Sequence, residues 1–111
     1  MYGELAIFSL FLIPMADSSF EWDDSKDVEN QRKHGVSFNE AQYAFLDGNR
    51  VIAEDLSHSK TENRYYCFGL NSEKSGILTV RFTYRSGRIR IIGAGYWRRG
   101  KKVYEQANSV Q

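Results

Sequence analysis

Apolar and polar residues alternate with a period of two on both sides of Ser86-Gly87. That pattern predicts a β-hairpin with a tight turn. With Ser86-Gly87 as the loop, Arg85 faces Arg88, Thr83 faces Arg90 and Phe82 faces Ile91. Cross-strand partners share a face, so Val80, Phe82, Tyr84, Ile89 and Ile91 form one apolar side. Arg81, Arg85, Arg88 and Arg90 fall on the other. Like charges on one pleated face repel, and no acidic residue lies nearby in sequence to relieve them. The expectation is a surface shaped for a polyanion.

The rest of the chain builds around this hairpin. Phe20-Glu21-Trp22 reads as a short strand, with Trp22 in the core. Asp23 or Asp24 can cap a helix over residues 24–34, and Gly35 suits the position just past its end. This helix has almost no apolar residue except Val28, so it packs lightly or exposes a working polar face. Lys26, Asn30, Lys33 and His34 lie along one side of it. Ser37-Phe38-Asn39-Glu40 is a capping box, with Val36 and Ala41 placed as its hydrophobic staple. Phe38, Ala41, Ala44 and Phe45 give the stripe of a second helix, ending near Asp47-Gly48. Strands follow over residues 50–55 and 63–70, joined by a polar loop. A turn at 71–76 leads to strands 76–85 and 88–94, completing a four-stranded antiparallel meander. A helix over 97–106 closes the chain. The predicted fold is α+β, a four- to five-stranded antiparallel sheet with helices packed on it, in the order β-α-α-β-β-β-β-α.

Composition narrows the function. The 111 residues suit one domain with a single core, and the net charge of +1 hides two opposed halves. Residues 17–62 hold eleven acids against five bases, whereas 78–104 hold eight bases and no acid. A basic face for nucleic acid or an acidic partner follows. The lone cysteine, Cys67, cannot form an intrachain disulfide and reads as a buried small hydrophobe, consistent with a reducing cytoplasm. Residues 1–16 include an apolar run too short to span a bilayer and, with Glu4, no positive leader. They read either as a gene-start extension ahead of Met15 or as an extra strand or helix. The domain proper is residues 17–111, with no membrane partner.

Several motifs resemble the BrnT family of toxins from bacterial type II toxin–antitoxin modules. The most specific are Trp22-Asp23, Lys26, Asn30 and Lys33-His34-Gly35-Val36-Ser37-Phe38. Further support comes from Asp55, His58, Glu62-Asn63-Arg64-Tyr65 and Arg90-Ile91-Ile92-Gly93-Ala94. The resemblance implies a small RelE-like ribonuclease that cuts RNA without metal or cofactor. It also implies a BrnA-like antitoxin partner, with DNA contacted only through that antitoxin. The family usually ends its last strand Ile-Ser-Ala-Arg, where this chain reads Ile92-Gly93-Ala94-Gly95. Either a later arginine substitutes or the chemistry is altered.

Metal-free cleavage of RNA needs a base for the 2′-OH, an acid for the leaving oxygen and fixed positive charge on the transition state. Arg64, Arg81 and Arg90 are strand residues suited to the charge, unless acids from the other half pair with them. His34 is the candidate acid or base, since imidazole exchanges its proton near neutrality; the bland alternative is a cation at a helix C-terminus. Glu62 serves the same role or pairs with Arg64, and His58 is a weaker candidate of the same kind. For RNA binding the candidates are Lys33, Arg85, Arg88, Arg98 and Arg99, with Tyr96 and Trp97 as stacking platforms. The competing reading is a non-catalytic basic module that binds nucleic acid or an acidic protein.

Overall fold

In a computed structural model of the chain the described residues are 5–8, for their backbone alone, and 19–109. The strands are Leu5–Phe8 (β1), Phe20–Glu21 (β2), Val51–Asp55 (β3), Tyr65–Leu70 (β4), Ile77–Arg85 (β5) and Arg88–Gly95 (β6). The helices are Asp24–His34 (α1), Phe38–Ala41 (α2), which continues as a 3-10 turn over Gln42–Leu46, and Arg98–Ala107 (α3). Strands β3, β4, β5 and β6 form an antiparallel meander. Strand β2 joins its β6 edge, and β1 extends it at β3. The rest of the N-terminal segment, Met15 included, lies outside the described residues.

The sheet is α+β in class but mixed, which corrects the expectation of a wholly antiparallel one. Strand β2 runs parallel to β6, pairing Phe20 with Ile89 and Glu21 with Arg90. Two residues are too few for any periodicity to announce a direction. Packing sets it instead, with Phe20 edge-on to Phe45 at 5.3 Å and Glu21 against Arg88 and Arg90.

The hairpin has the register that alternation predicts, with Arg85 opposite Arg88, Thr83 opposite Arg90 and Phe82 opposite Ile91. Ser86 (φ 52) and Gly87 (φ 78) both take positive φ, as a two-residue turn matched to strand twist requires. Nearer the end of β6 the register slips: Arg81 faces Gly93, leaving Ile92 unmatched in a bulge. The slip turns Ala94 into the core and Gly93 to the opposite side.

One sheet face packs against α2 and its 3-10 continuation. There Phe38, Ala41, Ala44 and Phe45 meet Ile52, Cys67, Leu78, Val80, Phe82, Ile89, Ile91 and Ala94, all buried. Burial of apolar surface at about 25 cal/mol per Å² makes this layer the main source of stability. Ser37 caps α2 by accepting from Glu40 N at 3.0 Å, but Glu40 turns away and binds Ser72 instead, so only half of the expected capping box forms. Cys67 lies in this layer fully covered, and burial pushes its thiol far above the ordinary range, which suits an inert packing residue. The other face carries α3 over Val51, Ala53, Tyr66 and Phe68, with Tyr104 between them. Among the described residues no helix is long and apolar enough to cross a membrane.

Candidate functional site

Helix α1 is held by polar bonds. Asp23 Oδ1 accepts from Ser25 N at 2.8 Å and Lys26 N at 3.2 Å, and Gly35 (φ 69) ends the helix in the left-handed conformation. Val28, its one aliphatic residue, is 66% exposed. The tether is Asn30, the helix's buried residue. Its Nδ2 donates to Val36 O and Ala94 O, both at 2.9 Å, and Ala94 N donates back to its Oδ1 at 3.2 Å. Asp27 adds a second hold by accepting from Phe38 N at 2.8 Å. Truncating Asn30 to alanine strands those groups without partners, at an expected cost of about 2 kcal/mol. Urea unfolding measures this, and a loss no larger than that of an ordinary surface substitution contradicts the tether.

Held this way, the polar side of α1 faces β5 and β6 across a cleft of about 400 Å³. From α1 come Lys26, Glu29, Asn30, Lys33 and His34; the sheet supplies Tyr66, Arg81 and the Ile92–Gly93–Ala94 bulge region, and Trp97 completes the lining. The side of α1 singled out by helical spacing is therefore the side that lines the cleft. Glu29 is the only acid in this lining; the adjacent Arg32 guanidinium, with Lys33 at 3.5 Å, holds its carboxyl down at about 2. The ring of His34 meets that of Trp97 edge-on, with centroids 5.1 Å apart.

The arginines of the sheet separate into two groups. Arg85 and Arg64 both pair with Glu62, at 2.9 and 3.4 Å, and Arg88 and Arg90 share Glu21, each at 3.3 Å. The expectation of an unrelieved cationic face is thus corrected: partners arrive from β2 and from the loop before β4, distant in sequence. Four arginines against two glutamates still leave two positive charges in excess. Glu62 is held below the usual carboxylate range, chiefly by its hydrogen bonds from Arg85, so it stays ionised and engaged. Arg64, Glu62, Arg85, Arg88 and Arg90 do not line the cleft. Arg81 does, its Nε is buried without a hydrogen-bond partner, and no acid pairs with it among the described residues. A guanidinium so placed has donors to spare for an anion.

At the end of β6, Trp97 explains Gly95. A Cβ on Gly95 would lie 2.6, 2.8 and 2.9 Å from three consecutive atoms of the six-membered indole ring. Such near-equal distances place it over the ring face. The indole is seated flat on the glycine, in the space where any longer side chain at this position would begin. Tyr96, 49% exposed, has its hydroxyl bound by Asn71 Nδ2 at 3.1 Å, and Arg98 and Arg99 are exposed in the first turn of α3. His58 sits elsewhere, its Nδ1 2.8 Å from the buried Asp55 carboxylate and 3.1 Å from Ser57 Oγ.

Sequence reasoning missed Tyr66 as a cleft residue and Glu21 as a counter-ion. Tyr66 lies next to Tyr65 and Cys67 in an apolar run, where periodicity does not single it out. Glu21 becomes visible only once β2 is known to run parallel to β6. Among the described residues, no group of three His, Cys, Asp or Glu side chains is placed to hold a metal ion.

No curated protein matches the chain. A family model described as the ribonuclease toxin, BrnT, of type II toxin–antitoxin systems matches residues 22–100. That span begins at Trp22, takes in α1 with its tether and the whole meander, and ends in the first turn of α3, so it contains every wall of the cleft. The chain belongs to the BrnT family of ribonuclease toxins.

Proposed function

We propose that this protein is a metal-independent, RelE-like endoribonuclease whose working site is the cleft between α1 and the β5–β6 hairpin, and that a BrnA-like antitoxin neutralises it. The observation that carries the reading is Arg81, a cation without an acidic partner among the described residues, which lines the same cleft as His34, Lys26 and Lys33. In the reaction the 2′-OH of the substrate attacks the adjacent phosphate, the 5′ oxygen of the next nucleotide leaves, and a cyclic phosphate results. One proton is lost by the nucleophile and one is gained by the leaving oxygen. His34 is the imidazole in the lining and takes part in that transfer. Arg81 stabilises the charge that builds on the phosphorane oxygens, on a strand that holds it in place. Lys26 and Lys33 draw the phosphate in as point charges, and Trp97 offers a ring for a base. The requirement for a 2′-OH restricts the activity to RNA. DNA enters only through the antitoxin.

The test is incubation of the purified protein with RNA in excess EDTA. Cleavage is expected to persist, to yield cyclic phosphate ends, and to stop when the nucleotide at the cut carries a 2′-deoxy sugar. Salt-dependent binding without product would favour a binding module instead; loss of cleavage in EDTA would remove the metal-free mechanism.

A further inference from the structure

Trp97 lines the cleft at Arg81 and also lines a second hollow, of about 470 Å³. It is lined by Tyr96, Ile77 and Leu70 and by three cations, Lys74, Arg98 and Lys101, with no acidic residue in its lining. All three cations are exposed, and none has an ion pair among the described residues. Stability does not account for this arrangement. Arg98 and Lys101 stand in the first turn of α3, where no acid and no side-chain cap is present, and cations there oppose the helix dipole.

The two aromatic rings of the second hollow are each fixed in place. Trp97 lies face-down on Gly95, and Tyr96 packs on Gly76, where a Cβ would come within 3.1 Å of its ring. Asn71 holds the Tyr96 hydroxyl while also binding Ser75 and accepting from Ser75 N and Gly76 N. The rings are thus positioned by glycine clearances on one side and by a hydrogen-bonded turn on the other. Neighbouring cations, fixed rings and an acid-free lining are what single-stranded nucleic acid requires.

We infer that the second hollow is a nucleotide-binding subsite, in which single-stranded RNA that crosses Trp97 from the cleavage cleft places its next phosphates on Lys74, Arg98 and Lys101 and a base on Tyr96. The inference rests on the proposed function in naming the cleft, and it adds that the substrate is an extended single strand and not a dinucleotide or a duplex. An A-form duplex keeps its bases stacked and offers no free base to Tyr96.

The experiment measures binding of fluorescent oligoribonucleotides carrying 2′-O-methyl sugars, so that cleavage does not intrude. Oligomers of about 4 and about 12 nucleotides bracket the span of a single-strand site. Lys74→Ala/Lys101→Ala is expected to weaken the long oligomer about tenfold and to flatten its log–log salt slope by about 1.4, the share of two lost phosphate contacts on a single strand. The short oligomer should lose less. Lys60→Ala, in the loop after β3, serves as the control. Equal weakening at both lengths, or none, overturns the subsite. So does loss of binding to a co-expressed antitoxin with RNA affinity intact, which would assign the hollow to a protein. A protein that binds long RNA through Lys74 and Lys101 yet cuts no RNA retains the subsite and loses the ribonuclease reading. One that cuts RNA with affinity indifferent to both lysines does the reverse.

Discussion

Arg81→Ala is expected to lower the rate of RNA cleavage by about 10²–10³-fold, the usual consequence of removing one preorganised donor from a transition state. Folding should scarcely notice. The guanidinium has no acidic partner among the described residues, and its Nε is buried without a hydrogen bond, so alanine removes an unsatisfied donor along with some packing of the stem. A change within about 1 kcal/mol in urea unfolding is the expectation. Loss of activity together with unchanged stability separates a residue kept for chemistry from one kept for structure. Arg90→Ala provides the contrast. It breaks a part-buried ion pair with Glu21 outside the cleft, and because Arg90 does not line the cleft it should cost cleavage less than about tenfold. Arg81→Lys should recover part of the lost rate, since it restores charge without the planar fork. Cleavage by Arg81→Ala at the wild-type rate would remove the central residue of the mechanism.

The second large effect belongs to the fold. Strand β4 passes beneath the 3-10 segment so closely that a Cβ on Gly69 would overlap the carbonyl oxygen, carbon and Cα of Ala44. All three are backbone atoms, so no rotamer change can make room; the whole segment must lift from the sheet. Ala44 and Phe45 sit at the centre of the larger core layer, and lifting them uncovers it. Gly69→Ala is therefore expected to destabilise the protein by about 3 kcal/mol. For a domain of this size the midpoint of thermal unfolding should fall by about 10 °C or more. Gly48→Ala, where nothing lies within 4 Å of the added carbon, should change stability by less than about 0.5 kcal/mol. Calorimetry on the pair decides the matter, and similar melting temperatures would disprove the close approach.

Much of this architecture is legible in the sequence because it depends on local rules. Turn chemistry at Ser86-Gly87 and alternation around it determine the hairpin register down to the opposed Arg85 and Arg88. Helical spacing places Lys26, Asn30, Lys33 and His34 on one side of α1, and that is the side facing the cleft. What escapes is what depends on distant parts of the chain. No local pattern says that Glu21 will meet Arg88 and Arg90, or that Glu62 will take Arg64 and Arg85, and so five arginines that look alike in sequence divide into four engaged and one available. The bulge at Ile92 escapes for a different reason: strict alternation would continue to Gly93, and only the burial of Ala94 reveals the slip. Asn30 is visible as a polar residue on a polar helix, but its burial and its bonds to Ala94 are not.

The bonds between Asn30 and Ala94 also set a condition on when the cleft can form. They join residues 64 positions apart, and Trp97 lines the same cleft from still further along the chain. A domain folds as its sequence emerges from the ribosome, amino terminus first. While β6 remains inside the exit tunnel, α1 has nothing to dock on, Arg81 has no facing wall, and the cleft does not exist. A nascent chain therefore lacks the cleft until β6 has left the tunnel and docked against α1.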